Sequence, residues 1–262
     1  MTRPPDRATA APAAIGAWPG WASVFVLVLV WQGLALWLDS RLLPSPVTVA
    51  AQIGWLAREG HLIADFGITL ARAVTGFAIA MVLGTAAGLA MGRSRLADKL
   101  FLNWVVVGMN LPAIVIAILC YIWLGLNDTA LVLAVVLNKT PLVISNIRQG
   151  VLSFDPAYDE FARAYRLSRR DTFWLVHVPQ LTPYLLAAAR TGLSLVWKIV
   201  LVFEVLGADL GVGFRISIFF QFFDLKGILA YTAVFVVIVM ALEHLVIGPL
   251  ERRLLAWTTD LA

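Results

Sequence analysis

The stretch SFDPAYDEFARAYRLSRRDTFWLVHVPQLTP, residues 153–183, is a polar and basic segment between two long apolar blocks, and its reading decides the fold. Asp155 followed by Pro156 has the form of an N-cap with proline at the first helical position, where the missing N–H removes no helical bond. A short helix is expected there. Along it Ala157, Phe161, Ala164 and Tyr165 recur at helical spacing, with Asp159, Glu160, Arg163 and Arg166 on the other side. Ser168 with Asp171 has the form of a capping box, so a second short helix is expected from about Arg169, carrying Phe173, Trp174 and Val176. Pro179 should end it, and Thr182-Pro183 should cap and start the next apolar block. The segment predicts helix, turn, helix, then a membrane span.

The composition around it is that of a bilayer protein. Of 262 residues, 61% are hydrophobic and 14% charged, and the mean hydropathy is +0.86, far from soluble usage. No polar stretch is long enough for a soluble domain. Basic residues sit at the ends of apolar blocks and in short loops, so topology accounts for the positive balance and nucleic acid is not implied as a partner. The single Cys120 supports neither a disulfide framework nor a metal site.

Taken in order, residues 1–20, with Arg3 and Arg7, read as a disordered cytoplasmic tail, and 21–262 as one transmembrane domain. Six spans are expected, at 21–38, 73–91, 100–126, 129–146, 181–206 and 227–247. Ser45-Pro46 should start an interfacial helix with Val47, Ala50, Ala51 and Trp55 on one face. Gly84 and Gly88 have the spacing that lets helices approach closely. Pro112 should kink the third span. Arg72 reads either as a substrate-binding group or as a helix-end arginine reaching the interface. Arg93, Arg95, Lys99, Arg148, Arg252 and Arg253 fall on the expected cytoplasmic side, Arg41, Arg58, Arg215 and Lys226 on the other.

The spacing within 153–183 resembles the cytoplasmic EAA motif of binding-protein-dependent ABC importer permeases: Glu-Ala-Ala, three residues, Gly, nine residues, Ile-x-Leu-Pro. Glu160, Ala162, Val176, Val178 and Pro179 fall at its places, while Phe161 stands for the second-position Ala and Arg166 for the Gly. If that Gly serves a left-handed C-cap, arginine there costs roughly 1 kcal/mol, or the turn shifts towards Leu167 and Ser168. Leu43-Pro44-Ser45-Pro46 resembles the nitrate/sulfonate/taurine/bicarbonate branch. Thr69 to Phe77 is similar to the family's approach to its second span, and Gly211-Val212-Gly213 to its external Gly-x-Gly loop. The resemblance covers 43–257.

This resemblance implies an all-α, polytopic permease subunit of an ATP-driven importer in the bacterial inner membrane, with both termini cytoplasmic. Its implied partners are cytoplasmic ATPase subunits that hold ATP-Mg, a second permease copy as a homodimer, a periplasmic or extracellular substrate-binding protein, and the lipid bilayer. Glu160, Phe161, Ala162, Tyr165, Arg166, Phe173, Trp174 and Pro179 would belong to the segment that docks on the ATPase. Phe161, Tyr165, Phe173 and Trp174 could equally pack on the chain's own helices. No Walker sequence, metal pair or nucleophile elbow is present, so no cofactor and no catalytic residue is expected on this chain.

Five ionisable or polar groups fall inside expected spans: Lys139, Arg190, Ser194, Lys198 and Glu204. Such groups face protein or a water-filled cavity. Arg190, Ser194 and Lys198 recur every four residues, so they lie along one helical stripe. Two readings follow. With Lys139 the stripe guides a small anion such as a sulfonate, taurine or nitrate; or these groups pair with Glu204 or backbone carbonyls to hold subunits together, or snorkel near the helix end. A stand-alone secondary transporter or channel using Lys139, Lys198 and Glu204 is the alternative from another class.

Overall fold

A computed structural model describes residues 18–40 and 42–249. Of the expected tail 1–20, residues 1–17 lie outside the described residues, as do Arg41, Glu251-Arg252-Arg253 and Trp257, while 18–20 are helical and open α1. Helices joined by short turns make up the described chain, with no strand among these residues. α1 (Trp18–Leu38) begins ahead of the expected first span. In α2 (Pro46–Glu59), Ser45 Oγ accepts from the Thr48 N–H at 3.3 Å and Gly60 ends the helix. Val47 and Trp55 stay exposed, and the neighbouring face, Val49 and Leu56, packs with Val212, Ala230 and Tyr231.

α3 (Leu62–Arg93) is 32 residues long. It starts well before the expected residue 73 because Asp65 and Arg72, which read as the end of a span, are buried and paired inside the protein. α4 (Arg95–Asn110) is capped by Ser94, and α5 (Ala113–Leu124) follows at a 99° bend. A kink was expected at this point; the helix breaks outright. Leu111 is extended (φ −67°, ψ 127°), as the residue before a proline tends to be. α6 (Asp128–Leu152) is capped by Asn127, whose side chain accepts from Ala130 N–H at 2.9 Å.

The 153–183 segment departs from its expected ending. α7 (Pro156–Ala164) and α8 (Arg169–Asp171) begin where the caps indicate. Pro179 does not stop the second helix, and Thr182-Pro183 does not start another. From Arg169 to Gly207 the chain is one helical run of 39 residues: α8, a π-helical turn Thr172–His177, and α9 (Val178–Gly207). In the π turn the Val178 N–H bonds Phe173 O, and this wider turn precedes the proline that can donate nothing. Thr182 Oγ1 donates back to Val178 O at 2.9 Å instead of capping. α10 (Val212–Gln221) and α11 (Leu225–Leu242) follow, with a second π turn at Glu243–Ile247.

Four helices are long and apolar enough to cross a bilayer, Leu62–Arg93, Asp128–Leu152, Arg169–Gly207 and Leu225–Leu245, and the bent α4–α5 pair makes a fifth. Ala22–Leu38 of α1 and Val212–Gln221 of α10 are shorter apolar helices. The core is the contact of α3 with α6. A Cβ on Gly76 would meet Val135 at 2.7 Å, on Gly84 Val143 at 2.5 Å, on Gly88 Ile147 at 2.8 Å and on Gly92 Val151 at 2.5 Å. Both series ascend together, so α3 and α6 run parallel with backbones pressed close along a small-residue seam. The crossover between them is the α4–α5 pair. α9 joins the bundle through Phe77, whose ring fills the space over Gly192, and through Val196, Val200 and Phe203 in the main cluster.

Candidate functional site

The first candidate site is built on α7 and the π turn. Asp155 accepts from the Ala157 N–H at 2.9 Å, and Ser168 Oγ accepts from the Asp171 N–H at 3.1 Å. Arg166 takes the left-handed conformation itself, φ 51°. Its N–H bonds Arg163 O (3.1 Å) and the Leu167 N–H bonds Ala162 O (2.9 Å), so the turn closes in Schellman form without glycine. Ala162 is buried beneath this turn. Phe161, Tyr165 and Trp174 are more than half exposed, and the rings of Phe161 and Tyr165 lie 4.4 Å apart. Phe173 is half-buried and meets Trp174 edge-on at 5.4 Å. Tyr158, Phe161, Tyr165, Leu167, Leu175 and Val176 border a groove of about 700 Å³. Glu160 is exposed on the same helix, and Pro179 lies beyond, half-buried in α9.

His177 is the hub of this end. Its Nδ1 lies 2.8 Å from Arg93 Nη2 and its Nε2 lies 3.0 Å from Asp159 Oδ1. Phe154 stacks on the ring at 5.3 Å. Gln180 Oε1 accepts from the Asp155 N–H at 3.0 Å, a second tie between α9 and the start of α7.

At the opposite end, Arg72 and Glu204 form a buried network that spacing along the chain did not reveal. Glu204 is fully buried. It accepts from Arg72 Nη1 (2.8 Å), Thr69 Oγ1 (2.9 Å) and the Gly213 N–H (2.9 Å). Arg72 also reaches Asp128 with Nε (3.0 Å) and Leu210 O with Nη1 (2.7 Å), so it is neither a surface-reaching helix-end arginine nor an open binding group. The Gly-x-Gly loop is shaped by this network: Gly211 sits at φ 102°, and a Cβ there would fall 2.4 Å from Glu204 Oε1. A second pin joins Asp65 to Arg215 Nε (2.9 Å) and Tyr231 Oη (2.8 Å).

The expected pathway residues are divided by this arrangement. Glu204 is committed to Arg72, not to Lys198. Lys139 is buried on α6 between Val135 and Val143, facing the seam with α3 at the level of Ala80. Arg190 and Lys198 are exposed on α9 and Ser194 is half-exposed, on the side away from Ala188, Gly192, Val196 and Phe203. Among the described residues no hydrogen bond or ion pair joins Lys139, Lys198 and Glu204, so the relay needed by a secondary transporter is not assembled.

Comparison with known proteins follows the same outline. The profile of the binding-protein-dependent transport system inner membrane component family matches residues 80–248. The taurine transport system permease protein TauC of Escherichia coli K12 is 28% identical over 241 residues, 88% of this chain and 86% of that one. The nitrate import permease protein NrtB of Synechococcus elongatus is 25% identical over 203 residues, 73% of this chain and 72% of that one. Among solved structures, the crystal structure of an amino acid ABC transporter with histidines superposes with a TM-score of 0.63 at 20% identity, covering 76% of this chain and 97% of that chain.

Proposed function

This chain belongs to the family of binding-protein-dependent transport system inner membrane components, and from that membership we propose how it performs its part as the permease subunit of an ABC importer. Such a permease works with an ATPase and a substrate-binding protein. In our reading α7 and the π turn dock on the ATPase, which holds ATP-Mg, while α9 contributes half of the solute pathway opposite a second copy of the chain. The observation that carries the first part is the exposed pair Phe161 and Tyr165 bordering an apolar groove, beside a helix rimmed by Glu160 and Arg163, with Trp174 exposed on the neighbouring π turn. An aromatic face fills a partner groove and the charges fix register. Support for the second part comes from the exposed stripe of Arg190, Ser194 and Lys198, which selects a small anion. The permeases for taurine and nitrate handle solutes of that class.

The test is reconstitution with a candidate ATPase and binding protein, comparing the intact chain with Glu160→Arg. The variant should insert normally but lose ATPase association and uptake of taurine or nitrate. Uptake by the purified chain alone, unaffected by the change, would overturn the reading. Uptake of a solute without an anionic group in preference to nitrate and to the sulfonate-bearing taurine would keep the importer and remove the selectivity for anionic groups.

A further inference from the structure

We propose that His177 is a positioning residue that ties the coupling helix α7 to the membrane helix α3, and that a proton added to its ring releases the tie. This rests on reading 153–183 as the coupling segment. The π turn is the element against which α7 chiefly packs, so the side chains of that turn set how a push on α7 reaches the bundle. One of them is His177, held 19% exposed.

The donors on either side decide the form of the ring. Arginine only donates, so Arg93 Nη2, 2.8 Å away, requires a bare Nδ1. The one ring proton of neutral imidazole then sits on Nε2 and donates to Asp159 Oδ1 at 3.0 Å. The order is Arg93 to His177 to Asp159, from the last turn of α3 to the first turn of α7. α3 is in turn locked to α6 by the glycine seam and meets α9 at Phe77 over Gly192. A displacement of α7 therefore reaches α9 along the backbone and α3 through this ring.

Protonation changes one side of the ring only. Nδ1 would carry an N–H aimed at the Arg93 N–H, placing two donors and two positive charges in contact, whereas Nε2–H to Asp159 becomes an ion pair. The ring stays with α7 and lets α3 go. Arg93 keeps a resting place over the Phe173 ring at 5.7 Å. The other charged side chains on these elements, Glu160 and Arg163 on α7, Arg169, Arg170 and Asp171 ahead of the π turn and Arg95 after α3, are exposed and make no bond to the ring.

The experiment uses the complete importer in vesicles with Mg-ATP as the probe. It measures ATPase co-purification and permease-dependent hydrolysis from neutral to mildly acidic pH. His177→Phe keeps the stack on Phe154 and removes both bonds; His177→Gln retains one acceptor and one donor and takes no proton. Expected are co-purification of all three, about tenfold slower hydrolysis for His177→Phe at every pH, and a near-native rate for His177→Gln. Hydrolysis should fall on acidification for the native chain and stay level for His177→Gln. Full hydrolysis by His177→Phe, or an acid fall in His177→Gln matching that of the native chain, overturns the proposal. Should His177→Phe fail to insert, the pH contrast between the other two still decides. Failure of the native chain to hold the ATPase defeats the underlying coupling reading, a result separate from failure of the relay.

Discussion

At the scale of single residues, the energetic weight sits where a charge has no water to fall back on. Glu204 is fully buried and Arg72 nearly so. Removing one partner strands the other, so Arg72→Ala should cost about 3–5 kcal/mol and lower the melting temperature of the detergent-purified chain sharply. Glu204→Gln, which keeps an acceptor for Thr69, should cost clearly less. Arg166 carries a smaller strain. Holding arginine at φ 51° costs about 1 kcal/mol relative to glycine, so Arg166→Gly should preserve the Schellman turn and raise amide-exchange protection in the last turn of α7. The caps Asp155, Ser45 and Ser168 were legible because each bonds within three residues of itself. The pairing of Arg72 with Glu204 spans 132 residues. Spacing puts both on helices but says nothing of which helices touch, and Lys198, nearer in sequence, was the more obvious partner. The contacts of His177 were hidden for the same reason, since its two neighbours come from α3 and α7.

At the scale of elements, local signals located the helix starts and misjudged one stop. Proline lacks a donor and crowds the preceding turn, so Pro179 and Pro183 read as punctuation. Both lie inside the 39-residue run because the π turn supplies the slack just before them. The glycine spacing was read correctly as a close-approach signal, but its partner helix came only from the fold. Its consequence is measurable. Gly84→Ala brings a Cβ within 2.5 Å of Val143, an approach as close as that of Gly92 to Val151, and should lower stability by about 1–3 kcal/mol. Gly54→Ala, with nothing within 4 Å of the added carbon, should leave the melting temperature unchanged and serves as the control.

At the scale of the whole molecule, hydropathy gave the membrane class, because it depends on composition and not on contacts; four helices, or five with the bent pair, are long and apolar enough to cross, beside the six spans expected. Hydropathy did not give the 99° break at Leu111-Pro112, where a proline was expected only to bend the helix. The parallel course of α3 and α6 puts Gly60, Asn127 and Asp209 at one end of the bundle, and Lys99 and α7 at the other. With Cys120→Ala as background, Asp209→Cys should react with a membrane-impermeant maleimide added outside intact cells. Lys99→Cys should react only after permeabilisation. Reversed labelling would invert the assigned topology.

The unbroken run from Arg169 to Gly207 also makes α8 to α9 a lever. At about 1.5 Å per residue its 39 residues extend roughly 58 Å. The place where Phe77 fills the space over Gly192 is its natural fulcrum. The arm towards the coupling end is then about 35 Å and the arm towards Gly207 about 23 Å. A swing at the coupling end arrives at the far end reduced by about a third, with force raised in proportion. In the proposed coupling, such gearing trades displacement for force at the end that holds the buried contacts around Glu204.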